Sequence, residues 1–213
     1  MSRKYREPNP HTAPRDAEPP LAACVPRLLL VRHATSVPPA CDGPEEYERP
    51  LNPLGMQQVK AVTEVLLAHS PDRVVSSPYR RSVQTVTPTA DALGRRVETH
   101  DALREWNAGI GATPDWQRHH RECWERPDWS VEGGESHVAL EQRAVAALRQ
   151  LVAEMPAASV TIVGSHGAWI ARALHGLGCA VDVEFWLGMP MPAIFEVDLD
   201  GRQAQVNDLG VVP

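Results

Sequence analysis

The sequence predicts an α/β fold of three layers, α/β/α, with a mostly parallel central sheet, an antiparallel C-terminal hairpin and a Trp-rich lid insertion. Three observations carry this. Short apolar runs, RLLLV at 27–31, RVVSS at 73–77 and SVTIVG at 159–164, lack alternation, as strands covered on both faces do. Stretches of helical spacing separate them, which is the pattern of strand and crossover units. Finally AIFEVDLD and RQAQVNDLG flank Asp200 and Gly201, a dipeptide that favours a tight hairpin turn.

Residues 1–26 hold six of the twenty prolines and no periodicity, so they read as a disordered Pro-rich arm, the alternative being that Tyr5 or Leu21 packs against the domain as an anchor. The folded domain is expected at 27–213. After the first strand, 34–53 is too rich in proline for an element and reads as a long loop. From Leu54, the positions of Met56, Val59, Val62, Val65 and Leu66 predict a helix. Beyond the second strand, Ser77 can cap and Pro78 can open a helix in which Pro88 should produce a kink or a break. RRVETH at 95–100 suggests a third strand.

The segment 104–134 is the least regular, and four of the six tryptophans, Trp106, Trp116, Trp124 and Trp129, lie in it among polar residues, as in a lid. A helix follows over about 136–155, then the SVTIVG strand, and then a helix in AWIARALHGLG. No internal repeat is present.

Composition narrows the function. The chain has 213 residues, 43% hydrophobic and 23% charged, with no window apolar enough to span a bilayer. The 21 basic and 27 acidic residues give a net charge of −6, which offers a nucleic-acid backbone no attracting field. The expectation is therefore no nucleic acid and no membrane partner. Cys24, Cys41, Cys123 and Cys179 are too scattered for a disulfide framework, and no secretory signal is recognisable, which makes the cytoplasm the expected compartment. A homodimer is compatible with such a chain.

Ligands of open α/β sheets gather beyond the carboxyl ends of the strands. Three strands here end in groups suited to an anion: Arg32 with His33, Arg80 with Arg81, and Ser165 with His166. A neutral His33 imidazole can attack phosphorus, and Arg32 offers it paired, planar donors. Either Arg80 or Arg81 would sit at a helix N-terminus, where free N–H groups favour an anion. His166 could stabilise a transferring phosphoryl group, and Glu105 could supply its proton if burial raises its pKa. His119, His120 and Cys123 also cluster, but three ligands without a fourth do not define a zinc site.

These segments together resemble the histidine phosphatase superfamily, the group that includes cofactor-dependent phosphoglycerate mutases and many phosphatases. LLLVRHATS resembles its signature strand, LNPLGMQQ the start of its first helix, SSPYRRSVQT its second signature, LREWNAG its acid segment, and GGES and IVGSHG its later motifs. The resemblance covers roughly 27–208. It implies a phosphohistidine on His33, phosphate contacts from Arg32, Arg81 and His166, Glu105 as general acid and base, and no metal or other cofactor. In mutases of this group the signature continues as RHGExxxN. Here Ala34, Thr35 and Pro39 stand at the glycine, glutamate and asparagine positions, which puts hydrolysis ahead of mutase chemistry. Thr35 and Ser36 remain candidate additional phosphate contacts. The expected activity is hydrolysis of a small phosphorylated metabolite. The alternatives are a mutase or phosphotransferase using the same pocket, and a noncatalytic phospho-ligand binding or regulatory domain.

Overall fold

The computed structural model describes residues 25–40, 42–111, 113–199 and 204–210. Most of the proline-rich arm, with Tyr5, Leu21 and Cys24, lies outside the described residues, as do Cys41 and the Asp200–Gly201 turn. The strands are β1 (Arg27–Arg32), β2 (Arg73–Ser76), β3 (Val97–Thr99), β4 (Val160–Ser165), β5 (Ala193–Leu199) and β6 (Ala204–Asp208). The helices are α1 (Pro53–Ala68), α2 (Arg80–Ala92), α3 (Trp116–Glu125), α4 (His137–Glu154), α5 (Gly167–Gly176) and α6 (Val183–Gly188).

One sheet in the order β3-β2-β4-β1-β5-β6 organises the domain. The first four strands of that order are parallel, whereas β5 runs antiparallel to β1 and β6 antiparallel to β5, so the C-terminal hairpin pairing is present. Period-two alternation divides the apolar side chains between the faces. Leu28 and Leu30 of β1, Val75, Val163, Phe195 and Val197 pack with Leu140, Leu148, Trp169 and Leu174 from α4 and α5. Leu29 and Val31, with Val74, Ile162 and Ile194, face Val62 and Leu66 of α1 and Val86 and Ala90 of α2. Both faces of β1 are thus covered, which is why its sequence is a continuous apolar run rather than an alternating one.

Local chemistry sets the helix ends. Asn52 caps α1 by accepting a bond from the Gly55 N–H at 2.8 Å, with proline in the first turn. Gly55 is needed for close approach, since a Cβ there would lie 2.0 Å from the Thr35 carbonyl oxygen. Ser136 caps α4 and Asp182 caps α6 in the same manner.

Several expectations need correction. Helix α2 begins at Arg80 with Tyr79 at its N-cap position, and Ser77 and Pro78 precede it. The Ser77 hydroxyl is drawn instead toward the strand ends. Helix α2 also runs through Pro88 uninterrupted, because Pro88 removes a single N–H from a helix buried along one face. The third strand contracts to Val97–Thr99. The segment 104–134 contains α3, and its aromatic groups lock onto the domain: Trp106 is buried against His137 at 4.5 Å and His120 stacks on Trp186 of α6 at 4.4 Å. It is accordingly a helix-bearing excursion whose aromatic groups join the principal core.

Candidate active site

The strand order places β4 between β2 and β1, all parallel, so three carboxyl ends emerge side by side. Register makes the alignment close: Arg32 pairs with Ser165, and Ser76 with Gly164. The next residues, His33, Ser77 and His166, therefore meet at one edge. The His33 N–H continues the ladder to the Ser165 carbonyl at 3.1 Å, and the Ser77 N–H continues it to Gly164 at 2.8 Å. The His33 and His166 ring centroids are 5.2 Å apart, edge to face.

Hydrogen bonding selects the His33 tautomer. Nδ1 lies 2.8 Å from the Ala34 carbonyl, which can only accept, so the proton resides on Nδ1 and Nε2 keeps its lone pair. Nε2 accepts from Arg81 Nε at 3.0 Å. Burial, reinforced by the Arg81 guanidinium, holds His33 well below the usual imidazole range, so it is neutral at pH 7. The same two causes act on His166, whose Nε2 lies 2.7 Å from Ser77 Oγ while its Nδ1 is buried without a partner among the described residues.

Two guanidiniums border the imidazoles. Arg81 is 1% exposed, whereas Arg80, one position earlier, is exposed; the start of α2 determines which of the pair points inward. Arg81 also packs over the Tyr79 ring at 4.8 Å, and Tyr79 in turn meets His166 edge to face at 4.8 Å. Arg32 donates through Nη1 to the carbonyls of Met189 and Pro190, and its Nε is buried without a partner among the described residues. A Cβ on Gly167 would lie 3.1 Å from the Arg32 Cζ, so the absence of a side chain there gives the guanidinium its place.

Glu105 follows the 3-10 turn Asp101–Leu103. Burial pushes its carboxyl up, against the pull of the Trp106 N–H and of Arg81 and Arg32. The Trp106 and Trp169 N–H groups, at 2.9 and 3.2 Å, both donate to Oε1. Oε2 is left to carry a proton. The site therefore holds a neutral imidazole with an unprotonated Nε2, guanidiniums suited to a tetrahedral anion, and a carboxyl biased toward its acid form.

Thr35 and Ser36 serve the adjacent loop in this structure. Thr35 donates to Gln58 Oε1 at 2.9 Å, and Ser36 accepts from Arg49 at 3.2 Å. His119 approaches Cys123 at 3.8 Å while His120 faces Trp186, and among the described residues no three such side chains converge on a metal position. Sequence reasoning overlooked Glu46, Arg49 and Tyr79, and read Ser77 solely as a cap. Tyr79 and Ser77 are inside the quoted SSPYRR segment and could have been found there, whereas Glu46 and Arg49 lie in a patternless loop.

An α/β domain that gathers these groups at the ends of parallel strands is of the class that handles phosphoryl groups on a histidine. The chain belongs to the histidine phosphatase superfamily, branch 1, whose profile matches residues 28–211. It is 30% identical to the probable phosphoglycerate mutase GpmB of Proteus mirabilis over 77% of this chain and 76% of that one. It is 31% identical to the glucosyl-3-phosphoglycerate phosphatase of Mycolicibacterium vanbaalenii, over 60% of each. A solved mycobacterial glucosyl-3-phosphoglycerate phosphatase shares the fold with a TM-score of 0.70 at 23% identity, covering 88% of this chain and 99% of that one.

Proposed function

We propose that the protein is a phosphatase that hydrolyses a small phosphorylated metabolite through a phosphohistidine on His33. The observation that carries this is the tautomer lock: with Nδ1 tied to the Ala34 carbonyl, the Nε2 lone pair faces Arg81 and the His166 ring. In the first step His33 Nε2 forms a bond to phosphorus as the ester P–O bond breaks, and Glu105 delivers its proton to the departing oxygen. In the second, water attacks phosphorus, the P–N bond breaks, and Glu105 takes the water's proton. Arg32, Arg81 and His166 stabilise the charge that grows on the nonbridging oxygens.

Relatives named for a phosphorylated glycerate derivative support a substrate of that kind, a phosphate ester on a small polar carbon skeleton. The tryptophan-bearing stretch 104–134 serves as the cover on the leaving-group side, because Glu105 stands at its start. Hydrolysis is favoured over mutase transfer, since Ala34 and Thr35 provide no carboxylate to hold and turn a phosphorylated intermediate.

The test is phosphate release from a panel of phosphorylated metabolites, with His33→Ala as control and isotopic phosphate trapped on the protein. Release abolished by the substitution, together with a label on His33, supports the reading. A His33→Ala protein as fast as the parent sinks it.

A further inference from the structure

The groups named above are nearly closed off: His33 is 6% exposed, His166 0% and Arg81 1%. A phosphate ester reaches them only if something moves. The loop between β1 and α1 shows which contact must give. Each Arg81 nitrogen is engaged: Nε donates to the His33 Nε2 lone pair at 3.0 Å, Nη1 to the Glu46 backbone carbonyl at 2.8 Å, and Nη2 to the Glu46 carboxylate at 2.7 Å. Glu46 is itself gripped by Arg49, whose Nε and Nη2 meet its two oxygens at 2.8 and 2.7 Å. Arg49 is buried and anchored to Ser36, whereas the Glu46 side chain is 46% exposed, on the solvent side of both guanidiniums.

The consequence is that Arg81 covers the nucleophile while Glu46 holds Arg81. A carboxylate paired with two guanidiniums presents the charge and acceptor geometry that a phosphoryl group would present to the same donors. We infer that Glu46 is a displaceable latch: its carboxylate occupies the Arg81 and Arg49 guanidiniums and keeps His33 masked, and a phosphate dianion opens the pocket by replacing it. Glu46 thereby acts as a specificity-determining residue, because an incoming group must outcompete a carboxylate for two guanidiniums. A dianion does so better than a monoanionic diester, and neutral molecules leave the latch shut.

This rests on the phosphatase reading, and the experiment separates the two. Inorganic phosphate binding is measured by calorimetry for the full chain, for Glu46→Gln and for Glu46→Ala. Because the competing carboxylate is gone, both variants are expected to bind phosphate on the order of tenfold more tightly. With a hydrolysed ester, both should show a lower KM and weaker discrimination against a methyl phosphodiester as competitor. Phosphate affinity unchanged or weakened in both variants overturns the latch, since Glu46 would then merely brace Arg81. Thermal melting of each variant checks that the half-exposed loop position has left the fold intact. If phosphate binds more tightly to the variants yet no phosphomonoester is hydrolysed by the parent, the latch stands and the phosphatase reading falls. If esters are hydrolysed through His33 and affinity does not tighten, the reverse holds.

Discussion

Replacing Glu105 by Gln tests the proton-transfer assignment because the structure specifies which part of the carboxyl matters. Oε1 is held by the Trp106 and Trp169 N–H groups, and an amide oxygen can accept the same two bonds, so the local fold should survive. What disappears is the proton on the other oxygen. General acid assistance contributes about 10²–10⁴-fold, or ~3–5 kcal/mol of barrier, when the leaving group is an alkoxide that cannot depart unprotonated. For an alkyl phosphate, kcat of Glu105→Gln should therefore fall by about that factor. For nitrophenyl phosphate, whose phenolate departs without a proton, the phosphorylation step should barely change, and label should accumulate on His33 because the second step has lost its base. The sign of the pH dependence follows from burial. The Glu105 carboxyl is raised, so its acid form persists above the usual carboxyl range, and single-turnover phosphorylation should slow as pH rises through that raised value. The limb should be absent in Glu105→Gln. Rapid-quench kinetics with both esters across pH is the assay. Equal losses for the two esters, or an unchanged pH limb, would refute the assignment.

Further outcomes follow from neighbouring contacts. Arg81→Lys cannot reproduce a planar fork that meets His33 and two further acceptors, and kcat/KM should fall by about 10²–10³-fold with the fold retained on circular dichroism. Gly167→Ala brings a methyl group to 3.1 Å from Arg32 and must shift that guanidinium, so KM for a phosphomonoester should rise several-fold, roughly threefold to tenfold, with a smaller effect on melting temperature. Acid should destabilise the α3 region: burial lowers His137 to about 3 and His120 to about 4. Both groups take protons more readily when unfolded, so their contribution is complete above ~6.5. It is lost as pH falls from there toward the folded values, at ~1.4 kcal/mol per pH unit for each imidazole. His137→Phe keeps a ring against Trp106 and Trp124 and should flatten the urea midpoint between pH 7 and pH 5; a midpoint as steep as the parent's would count against it.

The site was legible in the sequence wherever chemistry sits at the end of a buried strand. RLLLVRH and VTIVGSH announce both the strand and its terminal residues, because a strand covered on both faces is a continuous apolar run whose first polar residue marks its exit from the core. Parallel neighbours with aligned ends then bring His33 and His166 together although 133 positions separate them, and register, which no local pattern encodes, supplies the 5.2 Å. The choice between Arg80 and Arg81 was harder, since either side chain satisfies a helix N-terminus. It is decided by where α2 starts, and that depends on Ser77 turning toward His166 instead of capping the helix. The six-residue α6 and the polar α3 were invisible because one is too short to display a period and the other buries only Cys123 within its span.

Glu46 is the instructive absence. Its loop has no periodicity, and its carboxylate acquires meaning only from two arginines, one three positions away and one thirty-five away, that converge on it in space. A sequence reading finds charges that are required by what they follow, such as a cation at a strand end. It cannot find a charge required by what it blocks. An acidic side chain against a buried phosphate-scale arginine is costly to binding unless it can leave. The 46% exposure of Glu46 beside the 1% exposure of Arg81 is the asymmetry such a departure demands, with one partner buried and the other at the surface.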